Sequence, residues 1–197
     1  MPLSTSPPDD MSEFEYYISF YGLLLGLSVA EVASKFLNAI GARRKLKIGW
    51  MTPTLAIFIF LDITSFWIYA WGTRDALVVN WRTMFMGLLV ALSYYFAAGL
   101  AFPRDISEWS DLDEYYWEHK RVVLSGILVA NLISFTYSHM NHSAPLDIAF
   151  WFNQSTYFPP LILLFFTRRR SVDLTLFGIL IIGYFITAFI PSWIVEQ

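Results

Sequence analysis

Six long apolar stretches, separated by short polar connections, constrain this sequence more than any other feature. A helix needs about 20 mostly apolar residues to cross the hydrocarbon core of a bilayer, which is about 30 Å thick. Tryptophans near several ends of the stretches, including Trp50, Trp71 and Trp81, are typical of the headgroup layer. The sequence therefore predicts an all-α integral membrane protein, a six-transmembrane-helix bundle with spans at residues 16–40, 50–71, 81–102, 122–138, 146–166 and 174–194.

The composition agrees with this prediction and excludes several classes of protein. Hydrophobic residues make up 56% of the chain and charged residues 15%, against roughly 45–50% and about 25% in soluble domains. The absence of cysteine excludes disulfide scaffolds, zinc ribbons and iron–sulfur ligation. The net charge of −3 offers no basic surface to nucleic acid. No hydrolase, nucleotide-binding or metalloprotease motif is present, so we predict no enzyme activity, catalytic residues, cofactor or metal site.

The basic residues predict the orientation of the chain. The first, third and fifth connections carry ten, whereas the other side has only Arg74 and Arg82. Because Lys and Arg are enriched in cytoplasmic loops, both termini are predicted outside, in a prokaryotic cytoplasmic (inner) membrane. The acidic tail at residues 1–15 is expected to be disordered and extracytoplasmic; it lacks the basic region of a signal peptide, so the first span is expected to be retained. The ten basic residues of the first, third and fifth connections are Arg43, Arg44, Lys45, Lys47, Arg104, Lys120, Arg121, Arg168, Arg169 and Arg170.

Residues 103–121 form the one sizeable polar connector. On a helix, Trp109, Leu112 and Tyr116 would share an apolar face. We therefore expect an amphipathic cytoplasmic helix lying on the inner membrane surface. Its acidic face favours docking on the basic loops of the chain or on a partner.

Two groups of side chains resemble metal ligands only weakly. Glu114, Glu118 and His119 lie within one helical stretch of the connector, but nothing supplies the further ligands that a divalent cation needs. His139 and His142 flank a methionine in a predicted outer loop, without a carboxylate or thiol nearby. A solvated face and an ordinary loop are the simpler interpretations.

The two halves of the chain can be aligned as a three-plus-three inverted repeat. Span one matches span four at an offset of 100, which places Glu31 opposite Asn131. Span two matches span five at an offset of 91, which places Asp62 opposite Asn153. Inverted repeats commonly build a transport path near the midplane. Apolar helices share a small alphabet, however, and chance explains such short matches equally well.

Three ionisable residues lie at membrane depth, where each costs roughly 2.5–3.5 kcal/mol on insertion scales. Asp62 is close to the middle of span two. Glu31 and Lys35 are four residues apart in span one and can pair on one helix face. The functional interpretation is a proton or cation relay in which Asp62 binds the ion, Glu31 assists and Lys35 tunes both. The alternative is a buried triad that only fixes helix packing.

Uncharged polar residues lie in spans four and five. Asn131 belongs to span four, and Asn153 and Gln154 begin a polar run in span five that ends just before Pro159 and Pro160. The prolines remove two backbone donors and predict a kinked or broken helix. Such a run beside a broken helix is typical of a midplane binding site, and an interhelical polar clamp is the structural alternative.

Two functional hypotheses follow. The first is a small transporter or channel for a proton, cation or small polar solute, with Asp62, Glu31, Lys35, Asn131, Asn153 and Gln154 as candidate binding residues. The second is a non-catalytic scaffold or accessory subunit of a larger membrane complex, which would explain the small loops and the acidic connector. The expected partners are the lipid bilayer, an ion or small polar solute and, for either hypothesis, a second copy or a membrane complex.

Overall fold

A computed structural model describes residues 11–140 and 148–189 of the chain. Within these ranges the protein is helical, with two short 3₁₀ turns at Arg74–Ala76 and Ile106–Glu108 and no strands. The predicted all-α class is therefore confirmed for the described residues. The helices are α1 (Glu13–Gly41), α2 (Met51–Gly72), α3 (Trp81–Leu100), α4 (Leu112–Met140), α5 (Ile148–Phe166) and α6 (Arg170–Phe189).

Five of these helices, α1 to α4 and α6, are long and apolar enough to cross a membrane. Large apolar side chains such as Leu23, Ile68, Phe96 and Ile182 remain exposed on the bundle surface, as expected for a surface that contacts lipid rather than water. These features indicate an integral membrane protein. Helix α5 has 19 residues but is not among the five, because its polar run lowers its hydropathy.

Local interactions account for where the helices begin. Ser12 and Glu15 form a reciprocal capping box at the start of α1, with hydrogen bonds of 3.2 and 2.8 Å. The side chain of Asn80 accepts from the backbone N–H of Thr83 and caps α3. The start of α2 is capped from a distant element, because Asp113 Oδ1 accepts from the N–H groups of residues 50 and 51.

The six helices alternate in direction, so all three basic connections lie at one end of the bundle. At this basic end, Lys35 near the end of α1 bonds to the carbonyl of Gly99 near the end of α3. Lys120 of α4 bonds to the carbonyl of Thr167 just after α5. At the opposite end, Thr83 near the start of α3 bonds to Tyr137 near the end of α4.

The closest helix pairs are α3–α4, α1–α3, α5–α6 and α2–α6. Gly126 lets α3 and α4 approach closely, since a Cβ there would lie 2.9 Å from the carbonyl oxygen of Ser93. In a three-plus-three repeat, the α1–α3 pair would correspond to α4–α6 and the α2–α6 pair to α5–α3. Neither counterpart is among the close pairs of the described helices.

The connector differs from the expected separate amphipathic helix. Residues 103–111 form turns and a 3₁₀ segment, and residues 112–121 are the first ten residues of α4, which continues unbroken to Met140. Leu112 and Tyr116 are buried as expected, but Trp109 precedes the helix. The acidic side does dock on a basic loop of the chain: Asp111 accepts from Lys47 at 2.6 Å, and the two residues form a parallel backbone bridge.

Burial and hydrogen bonding act in opposite directions on the Asp111 carboxyl. Burial raises the pKa of Asp111. The hydrogen bond and charge of Lys47 and the hydrogen bond from the N–H of Asp113 lower this pKa by a larger amount, so that the net pKa lies below its usual range. The same contact raises the pKa of Lys47. The first loop and the connector are thus joined by an ion pair, and the pKa shifts of both partners favour their charged forms.

Helix α5 continues through Pro159 and Pro160, so of the two predicted alternatives the break is wrong and the kink stays a prediction. The hydroxyls of Ser155 and Thr156 bond to carbonyls of the preceding turn at 2.9 and 3.0 Å. Neighbouring helices and hydroxyl side chains commonly let membrane helices tolerate proline. The remaining predicted features, the tail at residues 1–10, His142 and the chain after residue 189, lie outside the described residues.

Candidate functional site

The carboxylate of Asp62 lies at the centre of a cage of hydrogen-bond donors. Its side chain is 0% exposed. Tyr94 donates to Oδ2 at 2.6 Å and Asn131 to the same oxygen at 3.3 Å. Tyr157 donates to Oδ1 at 2.9 Å, and Tyr184 also donates to Oδ1. All four donors are uncharged side chains, so a carboxylate in this cage is stabilised by hydrogen bonds alone.

Five helices meet at this carboxylate. Asp62 is the twelfth residue of α2 and faces the bundle interior, while its donors come from α3, α4, α5 and α6. Asn131 also donates to the hydroxyl of Tyr94 at 3.0 Å, which links two of the donors to each other. Each hydroxyl-bearing ring is long enough to place its polar atom at the carboxylate while the ring itself packs in the apolar core.

Aromatic packing fixes the positions of the tyrosines. Phe66 packs edge-on against the ring of Tyr94, with centroids 5.1 Å apart. Phe58 contacts the rings of both Tyr157 and Tyr184 at 6.4 Å. Phe58 is itself fully buried. The cage is therefore held by the surrounding core as well as by its hydrogen bonds.

A cleft of about 460 Å³ reaches this cage from the side. Helices α2, α4, α5 and α6 line it, and it extends from Leu61, beside Asp62, past Tyr69 toward the end of the bundle opposite the basic loops, a run of about 12 Å along α2. Asn131, Tyr157 and Tyr184 belong both to the cage and to the wall of the cleft. These three side chains separate the carboxylate from the space of the cleft.

A second cavity, of about 220 Å³, lies between α1, α2, α3 and α4 near the same end. It shares Phe66, Tyr69 and Ser134 with the wall of the cleft. The two spaces are therefore separated by only a thin layer of side chains, in the half of the bundle away from the basic end.

The six sequence-predicted residues do not form a single site. Asp62 and Asn131 are in direct contact, and Asn153 and Gln154 line the cleft beside them. Glu31 and Lys35 form the expected pair at 3.1 Å, but Lys35 also donates to the carbonyl of Gly99. Neither belongs to the hydrogen-bond donors of Asp62, so the expected three-residue relay is not assembled in the described structure. The pair ties α1 to α3 instead.

A second buried carboxylate, Asp173, lies at the basic end and was not identified from the sequence. It is 0% exposed and bonds to the ammonium of Lys120 at 2.7 Å, the hydroxyl of Tyr116 at 2.7 Å and the hydroxyl of Thr167. Lys120 is 2% exposed and also lies over the ring of Trp117, 4.5 Å from its centroid. Asp173 thus has a cationic partner, whereas Asp62 has none among the residues that the structure describes.

The three tyrosines of the cage were also missed by sequence reasoning. Each lies well inside an apolar helix, Tyr94 in α3, Tyr157 in α5 and Tyr184 in α6. A tyrosine hydroxyl at membrane depth needs a hydrogen-bond partner, so mid-span tyrosines could have been recognised as partners for Asp62. The sequence analysis considered aromatic side chains near the ends of the spans and in the connector, and not those inside the spans.

Within the described residues, no group of three histidine, aspartate or glutamate side chains is placed to hold a metal ion. His119 stacks on Tyr115, with centroids 4.1 Å apart, and its Nδ1 lies 3.1 Å from the carbonyl of that residue. His139 stacks on Phe135 at 4.6 Å.

No protein-family model, curated protein or solved structure matches the chain.

Proposed function

We propose that this protein is a membrane transporter that binds and releases a proton at Asp62. The supporting observation is a fully buried carboxylate that has four uncharged donors, has no cationic partner among the described residues, and lies behind the wall of an open cleft. A charged group at membrane depth is costly and is a candidate functional site by default. Here the cost is offset by hydrogen bonds that a protonated carboxyl can also use.

The arrangement of the cage favours a proton over a metal cation. Both carboxylate oxygens of Asp62 are occupied by O–H and N–H donors, whose hydrogens point at the carboxylate. A hard cation needs several oxygen lone pairs directed at it, and these donors direct hydrogens there instead. A proton needs only one oxygen and adds no volume.

Hydroxyl groups give the cage a route for proton movement. A tyrosine hydroxyl is both donor and acceptor and can rotate. When Asp62 is ionised, Tyr157 and Tyr184 donate to it; when it is protonated, its O–H donates to one of them, and that hydroxyl is then free to donate toward the cleft. Both tyrosines line the cleft, so a proton can pass between the cleft and Asp62 without motion of the backbone.

The transporter is proposed to have six spans, with α5 as the fifth crossing. Helix α5 runs between the same two ends of the bundle as the other helices and supplies Tyr157 to the cage. The ten basic residues at one end support a cytoplasmic position for that end, with both termini and the cleft facing outside. A prokaryotic inner membrane stays a prediction, as does the inverted repeat, on which this proposal does not depend.

Reconstitution tests the proposal. Purified protein in liposomes that contain a pH-sensitive dye should take up protons when an inward gradient and a counter-ion path are supplied. Asp62→Asn should abolish this uptake because an amide cannot exchange a proton. Asp75→Asn, which changes an exposed carboxylate in the loop at Arg74–Ala76, should leave it intact.

A second variant protects the test against simple misfolding. Tyr184→Phe keeps the Asp62 carboxyl and three of its donors but removes one cleft-facing hydroxyl. It should fold and show slowed uptake. Equal silence of the wild type, Asp62→Asn and Tyr184→Phe under gradients of either direction would reject the proposal.

The scaffold hypothesis has one structural observation in its favour. Asp62 joins α2 to four other helices, which is also what a structural clamp would do. A clamp predicts that proton movement is absent from the wild type and that Asp62→Asn lowers the unfolding free energy by more than Lys120→Met does.

A further inference from the structure

The cleft beside Asp62 has an uncharged lining. Its polar wall consists of amide and hydroxyl groups, and none of its lining residues within the described structure is acidic, basic or histidine. A charged solute that left water for this cleft would find no opposite charge on the wall, and the uncompensated loss of hydration would be large. An uncharged polar solute would lose less hydration free energy and would regain it through hydrogen bonds to the wall.

The lining also has the mixture of groups that polar ligands require. Asn153 and Gln154 of α5 each offer an amide donor and acceptor, and Ser134 and Thr187 add hydroxyls from α4 and α6. Ligand pockets of about 300–1,000 Å³ are lined mainly by apolar and aromatic groups, with a few polar groups that fix orientation. The cleft, at about 460 Å³, fits that description; its rings include Phe66, Phe135, Phe150 and Phe158.

The floor of the cleft is polar but carries no net charge of its own. The hydroxyls of Tyr157 and Tyr184 donate toward Asp62, which leaves the lone pairs of their oxygens for other partners. Seen from the cleft, the carboxylate is covered by these two hydroxyls and the amide of Asn131. The Asp62 carboxylate is therefore stabilised by hydrogen bonds from its own cage and does not itself form part of the wall of the cleft.

We propose that this cleft is the binding site for an uncharged polar solute, one that carries hydroxyl or amide groups, and that it disfavours both cations and anions of similar size. The inference rests on the proposed function, because it names the substrate class of the same transporter. It goes beyond that function in assigning the solute to the wall formed by Asn153 and Gln154, one layer away from the proton site.

The absence of cysteine allows a direct test. Asn153→Cys places one thiol in the cleft, and Val78→Cys places one at an exposed position, 61% accessible, at the same end of the bundle. Three methanethiosulfonates of similar size serve as probes: the hydroxyethyl compound is neutral, the trimethylammonioethyl compound is cationic and the sulfonatoethyl compound is anionic. Each forms a disulfide with the thiolate and releases methanesulfinate, so rates at one site differ only through the probe.

In proteoliposomes, the rate of each probe at Asn153→Cys is divided by the rate of the same probe at Val78→Cys. The normalised rate of the neutral probe should be at least about tenfold higher than that of either charged probe, a ratio that corresponds to about 1.4 kcal/mol. Gln154→Cys should give the same order and replaces Asn153→Cys if that variant fails to fold. Equal normalised rates, or faster reaction with a charged probe, would overturn the inference. So would labelling that occurs in detergent but is blocked in lipid, which would identify an acyl chain as the occupant.

The inference and the proposed function can fail separately. If proton uptake depends on Asp62 but the labelling rates do not depend on the charge of the probe, the proposed class of solute is rejected and the proposed proton transport is retained. Charge-selective labelling without any proton movement would keep the cleft as a binding site for uncharged solutes and reject the transporter.

Discussion

Two carboxylates in this bundle are equally buried and differently partnered. Asp173, at the basic end, is held by the ammonium of Lys120 and by two hydroxyls. Asp62, in the middle of α2, is held by three tyrosine hydroxyls and one amide, beside an open cleft. Asp173 thus has a charged donor within hydrogen-bond distance, whereas the tyrosine hydroxyls around Asp62 can reverse their hydrogen bonds. Asp173 joins α6 to α4 at the basic end, and the difference between the two carboxylates supports our proposal that Asp62 is the group that exchanges a proton.

The largest expected effect comes from removing the cation at the basic end. Lys120→Met leaves the buried Asp173 carboxyl without its cationic partner, and breaking a buried pair in this way costs about 3–5 kcal/mol. The unfolding free energy in detergent should fall by that amount. The double variant Lys120→Met/Asp173→Leu should recover most of the loss, because it removes the unpaired carboxyl. A loss in the single variant no larger than that of Asp62→Asn would break the comparison.

A smaller loss is expected at the midplane. Asp62→Asn keeps the size of the side chain; its amide nitrogen can donate to up to two tyrosine hydroxyls that rotate to accept, while its oxygen still accepts from the remaining donors. The unfolding free energy should fall by only about 1–3 kcal/mol, the range for imperfectly satisfied buried polar groups. Thermal unfolding that shows a larger loss here than in Lys120→Met would mean that Asp62 is the structural group of the two.

The basic end should also be sensitive to a change in the backbone. Gly49 has a φ of +65°, and a Cβ at this position would lie 2.1 Å from Oδ1 of Asp113, which caps α2. Gly49→Ala should destabilise the protein by about 1–3 kcal/mol through the strained conformation and the displaced cap. Gly72→Ala, whose Cβ would meet nothing within 4 Å, is the matched control. Equal effects of the two substitutions would show that the cap is not required.

The smallest effect is expected at the ion pair between Lys47 and Asp111, where the lysine side chain is 70% exposed. The pKa of Asp111 is lowered in the folded protein. Its stabilisation is therefore fully present above the pKa of the unfolded carboxyl, about 3.9, and is lost as the pH falls through the lower folded value. Lys47→Ala should leave the unfolding temperature nearly unchanged at pH 7 and should reduce its pH dependence below 4. An unchanged pH dependence of the unfolding temperature below 4 would show that this ion pair does not stabilise the basic end.

The sequence was sufficient for the all-helical class and for the membrane character because hydrophobic length is a property of single segments; the orientation drawn from charge asymmetry stays a prediction. The apolar stretches predicted the helices, with ends that shifted by up to ten residues where the connector joined α4. A break was one of two alternatives expected at Pro159 and Pro160, but α5 continues through them, as membrane helices commonly do where other groups satisfy the freed backbone. Asp62 and Asn131 were identified as separate polar residues in apolar spans, which is a local signal.

The composition of the cage could not be predicted in the same way. Tyr94, Tyr157 and Tyr184 meet Asp62 only because α3, α5 and α6 pack around α2, and these contacts span 32, 95 and 122 residues of sequence. Glu31 and Lys35 satisfied the local rule for an i, i+4 pair and were correctly expected to contact each other. Their depth in the membrane suggested a link to Asp62, but depth alone does not determine which helix face meets which.

Infrared difference spectroscopy tests the comparison most directly. On acidification of the protein in lipid, a protonated carboxyl that is buried gives a carbonyl stretching band distinct from that of exposed carboxyl groups. The account predicts that this band appears in the wild type, is absent in Asp62→Asn and persists in Asp173→Asn. A band that survives Asp62→Asn and disappears in Asp173→Asn would contradict it, because the titrating group would then be the carboxylate paired with Lys120.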